Sequence, residues 1–213
     1  MKITKLGHCC LFIEENGLRI LIDPGDYSAG QNEIKNVCVI LITHEHEDHV
    51  HVESLQKILE NSPNAKICTN NGVGKILEEK GIAFQLLAHG MKAEINGVEI
   101  EAFGEKHTQI YKTVPQAENT GYFIAGRLFY PGDAFTMPPK KVEILALPVS
   151  GPWMKLSEAI EYGLAVHPKT SFPVHDGMLK EGRLGSTHFL PQKIFSEKGI
   201  SFVVLEEGKE TEF

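Results

Sequence analysis

The sequence predicts an α/β fold in one domain, with helices covering the faces of β-sheets. Three observations predict it. Strand-like and helix-like segments mix along the whole chain, with strands dominating the first quarter. Residues 142–149 form an unbroken apolar run of strand length, which suits a strand buried on both faces. No Pro/Ser-rich linker or low-complexity stretch interrupts the 213 residues, so residues 1–213 are expected to form a single domain.

Taken in order, residues 9–15, 18–22 and 37–43 are rich in Ile, Val and Leu and are expected to be strands. Asn16-Gly17 joins the first two, the strongest short hairpin signal in the chain. Asp23-Pro24-Gly25 ends the second strand sharply. Past His49 the period lengthens: Val52, Leu55, Ile58 and Leu59 share a helical face, and Asn61-Ser62-Pro63 stops the helix. A second strand–helix unit follows, extended over 65–69 and helical over 74–80, closed by Gly81. Residues 97–103 and 121–130 are further strands, the latter expected to bend at Gly126. A helix over 156–166 ends before Pro168. A strand at 170–174, a helix at 191–198 and a strand at 201–205 complete the chain. Residues 106–119 lack periodicity and are expected to form a loop near the mouth of a site, where specificity often resides.

Composition narrows the function classes. A hydrophobic content of 42% and a charged content of 23% match soluble globular proteins, so disorder is not the expectation. The net charge of −7 argues against a nucleic-acid partner, because such proteins carry a basic footprint. No apolar stretch approaches the length of a membrane span, and the N-terminus lacks the apolar core of a signal peptide. Cys9, Cys10, Cys38 and Cys68 show no CxxC spacing, and three of them lie in apolar runs. They are expected to be buried reduced thiols of a cytoplasmic protein rather than disulfides or sulfur ligands.

The chemistry concentrates in Thr43-His44-Glu45-His46-Glu47-Asp48-His49, between a strand and a helix. His44 and His46 are two residues apart, so at an extended strand end they point to one side and can share a metal. Asp48 and His49 sit where the chain turns and can aim at a second metal beside the first. So many polar groups at a buried strand end would be costly without a bound partner. Three of the ten histidines fall within six residues, which makes an ordinary solvated loop a poor account. Further donors of suitable type stand at later strand ends: His107 after residues 97–103, Asp133 after Tyr130-Pro131-Gly132, and His175 after Phe172-Pro173-Val174.

This ordered set, His44-x-His46-x-Asp48-His49 with His107, Asp133 and His175, resembles the metallo-β-lactamase superfamily. The resemblance runs from Leu6-Gly7-His8 to the strand at Phe202. Gly7-His8-Cys9, Tyr130-Pro131-Gly132-Asp133 and the stretch from Pro148 to Met154 are similar to its small, ascorbate-phosphate-lactonase-like branch of metal-dependent hydrolases. Two positions depart from that branch: Cys9 stands where serine is frequent, and Asp176 follows His175 where an aromatic residue is frequent. The resemblance implies a four-layer αββα sandwich with the site at one edge between the sheets. It implies that His44, His46 and His107 bind one metal, that Asp48, His49 and His175 bind a second, and that Asp133 bridges them. Asp23, in Leu21-Ile22-Asp23-Pro24-Gly25, matches the first motif of the superfamily, a carboxylate near the metals but not on them.

The expected activity is therefore hydrolysis of a small ester, lactone or phosphodiester by hydroxide activated between two divalent metals, with Asp48 orienting it as the catalytic carboxylate. Zinc is the first expectation for the metals, and manganese or iron also suit the donors. Asp23 and His8 are expected behind the ligands. His51, His89 and His167 are expected at element ends or turns, and His188 is a weaker candidate for the pocket. Trp153 is expected to pack more than to line the site. Lys106, Lys112, Lys155 and Arg183 are candidates for holding an anionic substrate, although ordinary surface charge explains each. The expected partner is a small molecule, with neither nucleic acid nor membrane, and a homo-oligomer is compatible with the sequence. The rival readings are a di-iron redox protein on the same scaffold and a nuclease of the superfamily. The first usually carries Glu where His46 stands, and the second usually carries basic segments absent here.

Overall fold

The computed structural model describes residues 1–180 and 182–213. Strands β1 (Lys2–Gly7), β2 (Cys10–Glu15) and β3 (Leu18–Ile22) form an antiparallel meander. Asn16 and Gly17 turn the chain between β2 and β3 with φ of 50° and 79°, values that a two-residue turn matching the strand twist demands. A 3-10 turn at Gly30–Glu33 leads to β4 (Val39–Ile42), which lies parallel to β3. Helix α1 (Val52–Asn61), β5 (Lys66–Thr69), α2 (Asn71–Glu79) and β6 (Gln85–Leu86) extend this half by parallel crossovers.

The second half repeats the plan. Strands β7 (Lys92–Ile95), β8 (Val98–Phe103), β9 (Gly121–Ile124) and β10 (Leu128–Tyr130) are antiparallel. The chain continues through β11 (Ile144–Pro148), α3 (Leu156–Val166), β12 (Thr170–Val174), α4 (Gly185–Glu197), β13 (Ser201–Phe202) and β14 (Glu210–Glu212). Strands β10 to β13 are parallel. The result is two seven-stranded sheets, ordered β14-β1-β2-β3-β4-β5-β6 and β13-β12-β11-β10-β9-β8-β7.

Alternation along the central strands sorts their side chains into layers. Val39 and Leu41 of β4 join the apolar cluster between the sheets, while Ile40 and Ile42 face Leu55 and Ile58 of α1 and Val73 and Leu77 of α2. Ile144 and Ala146 of β11 likewise face the partner sheet, and Leu145 and Leu147 pack with Ala159 and Ile160 of α3 and Phe195 of α4. The continuous apolar run at 142–149 is thus a strand buried on both faces. The architecture is the four-layer αββα sandwich.

Several boundaries differ from the sequence expectations. Residues 121–130 do not bend but reverse: Ala125 and Gly126, with φ of 54° and 64°, turn β9 directly into β10. Helix α4 begins at Gly185 rather than 191 and carries Pro191 inside it. Its first turns expose Phe189 and Leu190 and so lack the amphipathic period that would have revealed them. Strand β4 is shorter than 37–43, leaving Cys38 half-buried outside it, whereas Cys9, Cys10 and Cys68 are buried. The edge strands β6, β7 and β14 are short or solvent-facing and gave no apolar run to detect, although Asn96-Gly97 turns β7 into β8 just as Asn16-Gly17 turns β2 into β3. Among the described residues, no helix is long and apolar enough to cross a membrane.

The segment after β3 is pressed against the histidine-rich turn: Asp26 N–H donates to the Glu47 carbonyl (2.9 Å) and His51 N–H to the Pro24 carbonyl (3.1 Å). Between these bonds a Cβ at Gly25 would overlap the Asp48 carbonyl. Gly25→Ala is therefore expected to lower the unfolding free energy by about 1–3 kcal/mol, read by urea denaturation; an unchanged midpoint would show that the two segments are not held in contact.

Candidate metal centre

The segment from Thr43 to Val50 leaves β4 as a compact turn in which His49 N–H and Val50 N–H both donate to the His46 carbonyl, each at 2.9 Å. His44 and His46 meet, with Nε2 of one 3.1 Å from Nδ1 of the other, but they do so in this turn rather than on the strand itself. The turn is fixed at its root. The Thr43 carbonyl accepts from Thr120 N–H (2.9 Å) and from Asn70 Nδ2 (2.8 Å), and Asn70 also caps α2 through Val73 N–H.

The second sheet supplies the opposite wall. His107 follows β8, its backbone N–H donating to the Ala117 carbonyl (3.0 Å). Asp133 follows β10 in a turn that Gly132 enters with φ of 64°. Asn119 holds that turn, accepting from Asp133 N–H (3.0 Å) and donating to the Pro131 carbonyl (2.9 Å). His175 leaves β12 with φ of 62° and donates its N–H to the His8 carbonyl (3.1 Å). The seven residues expected as ligands therefore converge, four from the end of the first sheet and three from the end of the second.

Asp133 stands at the centre. Its Oδ1 lies 3.3 Å from His49 Nε2, and its Oδ2 lies 2.8 Å from His175 Nε2 and 3.4 Å from His107 Nε2. Asp48 Oδ2 lies 3.4 Å from His175 Nε2 and 3.6 Å from His49 Nε2. The donor atoms of His44, His46 and His107 lie within 4.8 Å of one another, as do those of His44, Asp48 and His49. Burial disfavours the charged form of Asp133, yet the His49 and His175 imidazoles outweigh it and hold this carboxyl well below the usual range. Burial pushes His44 well below the usual imidazole value, so its ring is neutral and keeps a lone pair. The carboxylates thus demand positive charge at this spot, from protonated imidazoles or from cations.

The far sides of the His49 and His107 rings are engaged. His49 Nδ1 is 2.7 Å from Asp23 Oδ2, and Asp23 also accepts from Thr43 N–H and Thr43 Oγ1, each at 2.8 Å. His107 Nδ1 donates to the Thr108 carbonyl (2.5 Å). With those protons directed away, Nε2 of each ring faces the centre. There His49 Nε2, His107 Nε2, His175 Nε2 and Asp133 Oδ1 are buried, and although His175 Nε2 lies 2.8 Å from Asp133 Oδ2 none of them makes a well-directed hydrogen bond; His175 Nδ1 is buried and unpartnered as well. Such orphaned groups are expensive singly and rare in clusters. A set of imidazole nitrogens and carboxylate oxygens so arranged fits divalent metal ions.

A cleft of about 510 Å³ opens over the centre, with His46, Asp48 and Asp133 at its base. Trp153 both packs, 5.3 Å from the Phe135 ring, and lines the cleft. His8 is buried behind the centre, Nε2 3.1 Å from Asp48 Oδ2. His188 does not face the cleft; it binds Asp176 (2.8 Å), which also pairs with Lys5, so the residue after His175 is anchored in a separate buried network. Lys106, Lys112, Lys155 and Arg183 do not line the cleft. Sequence reasoning missed the supports Thr43, Asn70 and Asn119, which carry no ligand signature. It also set Cys9 aside as an inert thiol, whereas its sulfur lies among His8, His49 and His175.

Asp23→Ala removes a buried acceptor of three hydrogen bonds and is expected to cost about 3–5 kcal/mol of stability. Thr43→Val, which keeps the shape and loses one hydroxyl, is expected to cost about 1 kcal/mol. Paired denaturant titrations check the order; equal effects would mean that Asp23 does not anchor His49.

Comparison with known proteins identifies the family. The family model described as the Beta-lactamase superfamily domain matches residues 2–175. Protein Rv0786c of Mycobacterium tuberculosis is 35% identical over 84% of this chain and 85% of its own length. A UPF0173 metal-dependent hydrolase of Flavobacterium johnsoniae is 26% identical over 100% of both chains. Among solved structures, Igni18, a metallo hydrolase of Ignicoccus hospitalis, shares the fold with a TM-score of 0.77 at 22% identity, covering 100% of this chain and 98% of its own.

Proposed function

The chain belongs to the beta-lactamase superfamily, and from that membership we propose that it is a metal-dependent hydrolase with a dinuclear centre. One observation carries the reading: imidazole Nε2 atoms from both sheets are buried around the Asp133 carboxylate without well-directed hydrogen bonds. His44, His46 and His107 would hold one ion, Asp48, His49 and His175 the other, and Asp133 both. Zinc suits these donors first, with manganese or iron as alternatives. Such ions supply a nucleophile from water near neutral pH and draw charge from the bond under attack.

The chain's own groups do the rest. Asp133 reaches rings of both donor sets, His49 and His175 of one and His107 of the other. Asp48 is the more exposed of the two central carboxylates and can accept the hydrogen bond that orients the attacking group. Asp23 and the Thr108 carbonyl hold the His49 and His107 rings in the tautomer whose Nε2 faces inward, the role such outer partners play in metal sites. Residues 1–213 act as one domain, since β14 pairs with β1 across the ends of the chain. The four free cysteines suit a reducing compartment such as the cytoplasm.

The cleft favours an uncharged ester or lactone over a phosphodiester. Tyr27, Ile110, Pro152, Trp153 and Met178 form apolar walls, and Glu45 and Glu47 stand at the same rim. Among the described residues, no lysine or arginine lines it. An anionic substrate would meet carboxylates and gain no ion pair from the walls.

Elemental analysis of protein purified without chelator is expected to find about two divalent metal equivalents, falling in Asp133→Ala and His46→Ala. No metal after reconstitution would overturn the hydrolase reading. With the metal-loaded protein, p-nitrophenyl esters and γ-lactones are expected to be cleaved faster than bis-p-nitrophenyl phosphate. Trp153→Ala is expected to raise KM for the ester about tenfold with a smaller change in kcat; a faster phosphodiester reaction would reverse the substrate assignment.

A further inference from the structure

The tip of the β1–β2 hairpin is His8-Cys9, since Gly7 pairs with Cys10 across it. Two-residue tips of this kind favour Asn-Gly, for which left-handed backbone is easy. Here both tip residues are 1% exposed, and His8 takes a φ of 27°. The tip is wedged into the end of the sandwich: the His8 carbonyl accepts from His175 N–H (3.1 Å) and the Cys9 carbonyl from the Tyr130 hydroxyl (2.9 Å). A strained, inward-facing hairpin tip calls for a reason in what it delivers.

The Cys9 sulfur is not an apolar filler. Cys10 and Cys68 each belong to an apolar cluster, while Cys9 belongs to none of the three. Its surroundings are imidazoles instead: the donor atoms of His8, Cys9, His49 and His175 all lie within 4.8 Å of one another. His8 is already committed, its Nδ1 accepting from Gly177 N–H (3.0 Å) and its Nε2 reaching Asp48 (3.1 Å). His49 Nε2 and the His175 ring nitrogens are not, although these side chains are 0% and 2% exposed.

We propose that the Cys9 thiolate is a further ligand of the metal held by His49 and His175. The proposal rests on the metal-centre reading above and adds to it a sulfur donor. Binding converts the thiol to a metal thiolate and releases its proton to solvent. A thiolate shifts the preference of the site toward zinc and away from manganese, which favours oxygen donors.

Cobalt(II) tests this directly, because a thiolate ligand adds an intense near-ultraviolet charge-transfer band that imidazole and carboxylate ligands do not give. The cobalt protein is expected to show that band. Cys9→Ser is expected to lose it while still binding cobalt by elemental analysis, and Cys10→Ser and Cys68→Ser are expected to keep it. Cobalt bound with no such band, or a band that survives Cys9→Ser, overturns the sulfur ligand and leaves the metal centre standing. Failure of the wild-type protein to bind cobalt or zinc at all overturns both. Should Cys9→Ser not fold by circular dichroism, the variant lacking Cys10, Cys38 and Cys68 decides: a retained band assigns the sulfur to Cys9, and its loss refutes the assignment.

Discussion

A buried carboxylate must be met by positive charge or hydrogen-bond donors, or the fold that buries it loses several kcal/mol. Asp133 imposes this constraint at the end of the sandwich, where its oxygens touch rings from both sheets and only 3% of its side chain is exposed. Around it the chain concentrates imidazoles, and behind them a second buried carboxylate, Asp23, accepts the proton that the His49 ring turns away. Polar atoms that would each be a defect in an ordinary core become one compensated unit when cations complete it. The surrounding layers supply the rigidity this needs: β4 and β10 are buried along their length, β12 along all but its first residue, and each leads into a turn that carries donors.

The backbone carries part of the load as well. His8, Asp23 and His175 all adopt left-handed conformations, with φ of 27°, 46° and 62°, which residues other than glycine take uncommonly. Elsewhere such values fall at turns such as Asn16-Gly17 and Asn96-Gly97, where they cost little. At the centre they persist because hydrogen bonds on both sides over-determine them: Asp23 N–H donates to the Leu41 carbonyl and His175 N–H to that of His8, at 3.0 and 3.1 Å. Strain kept at a functional site and balanced by the scaffold is a recurring economy of enzymes.

Much of this was legible in the residues. The strands at 18–22 and 170–174 and the helix at 156–166 appear at their predicted bounds, because apolar periodicity and sharp stops coincide there. The histidine-rich turn and the three donors at later strand ends could be picked out because metal ligands are restricted to few residue types. What escaped detection has physical reasons. Edge strands such as β6 and β14 bury little and show no pattern. The start of α4 hid behind Pro191. Supports such as Asn119 and Thr43 act through backbone bonds that many residue types could make, and the surroundings of Cys9 depend on a hairpin tip turned inward, which no local pattern encodes.

The division of the centre between two repeated halves has a consequence for how the protein comes into being. The histidine-rich turn is made early on the ribosome, but Asp133 and His175 emerge only after most of the chain, and β12 must dock before the far wall exists. Neither half alone carries the full set of candidate donors. The donor set is therefore complete only once β12 has docked beside β11, so assembly of the second sheet and assembly of the centre are one event.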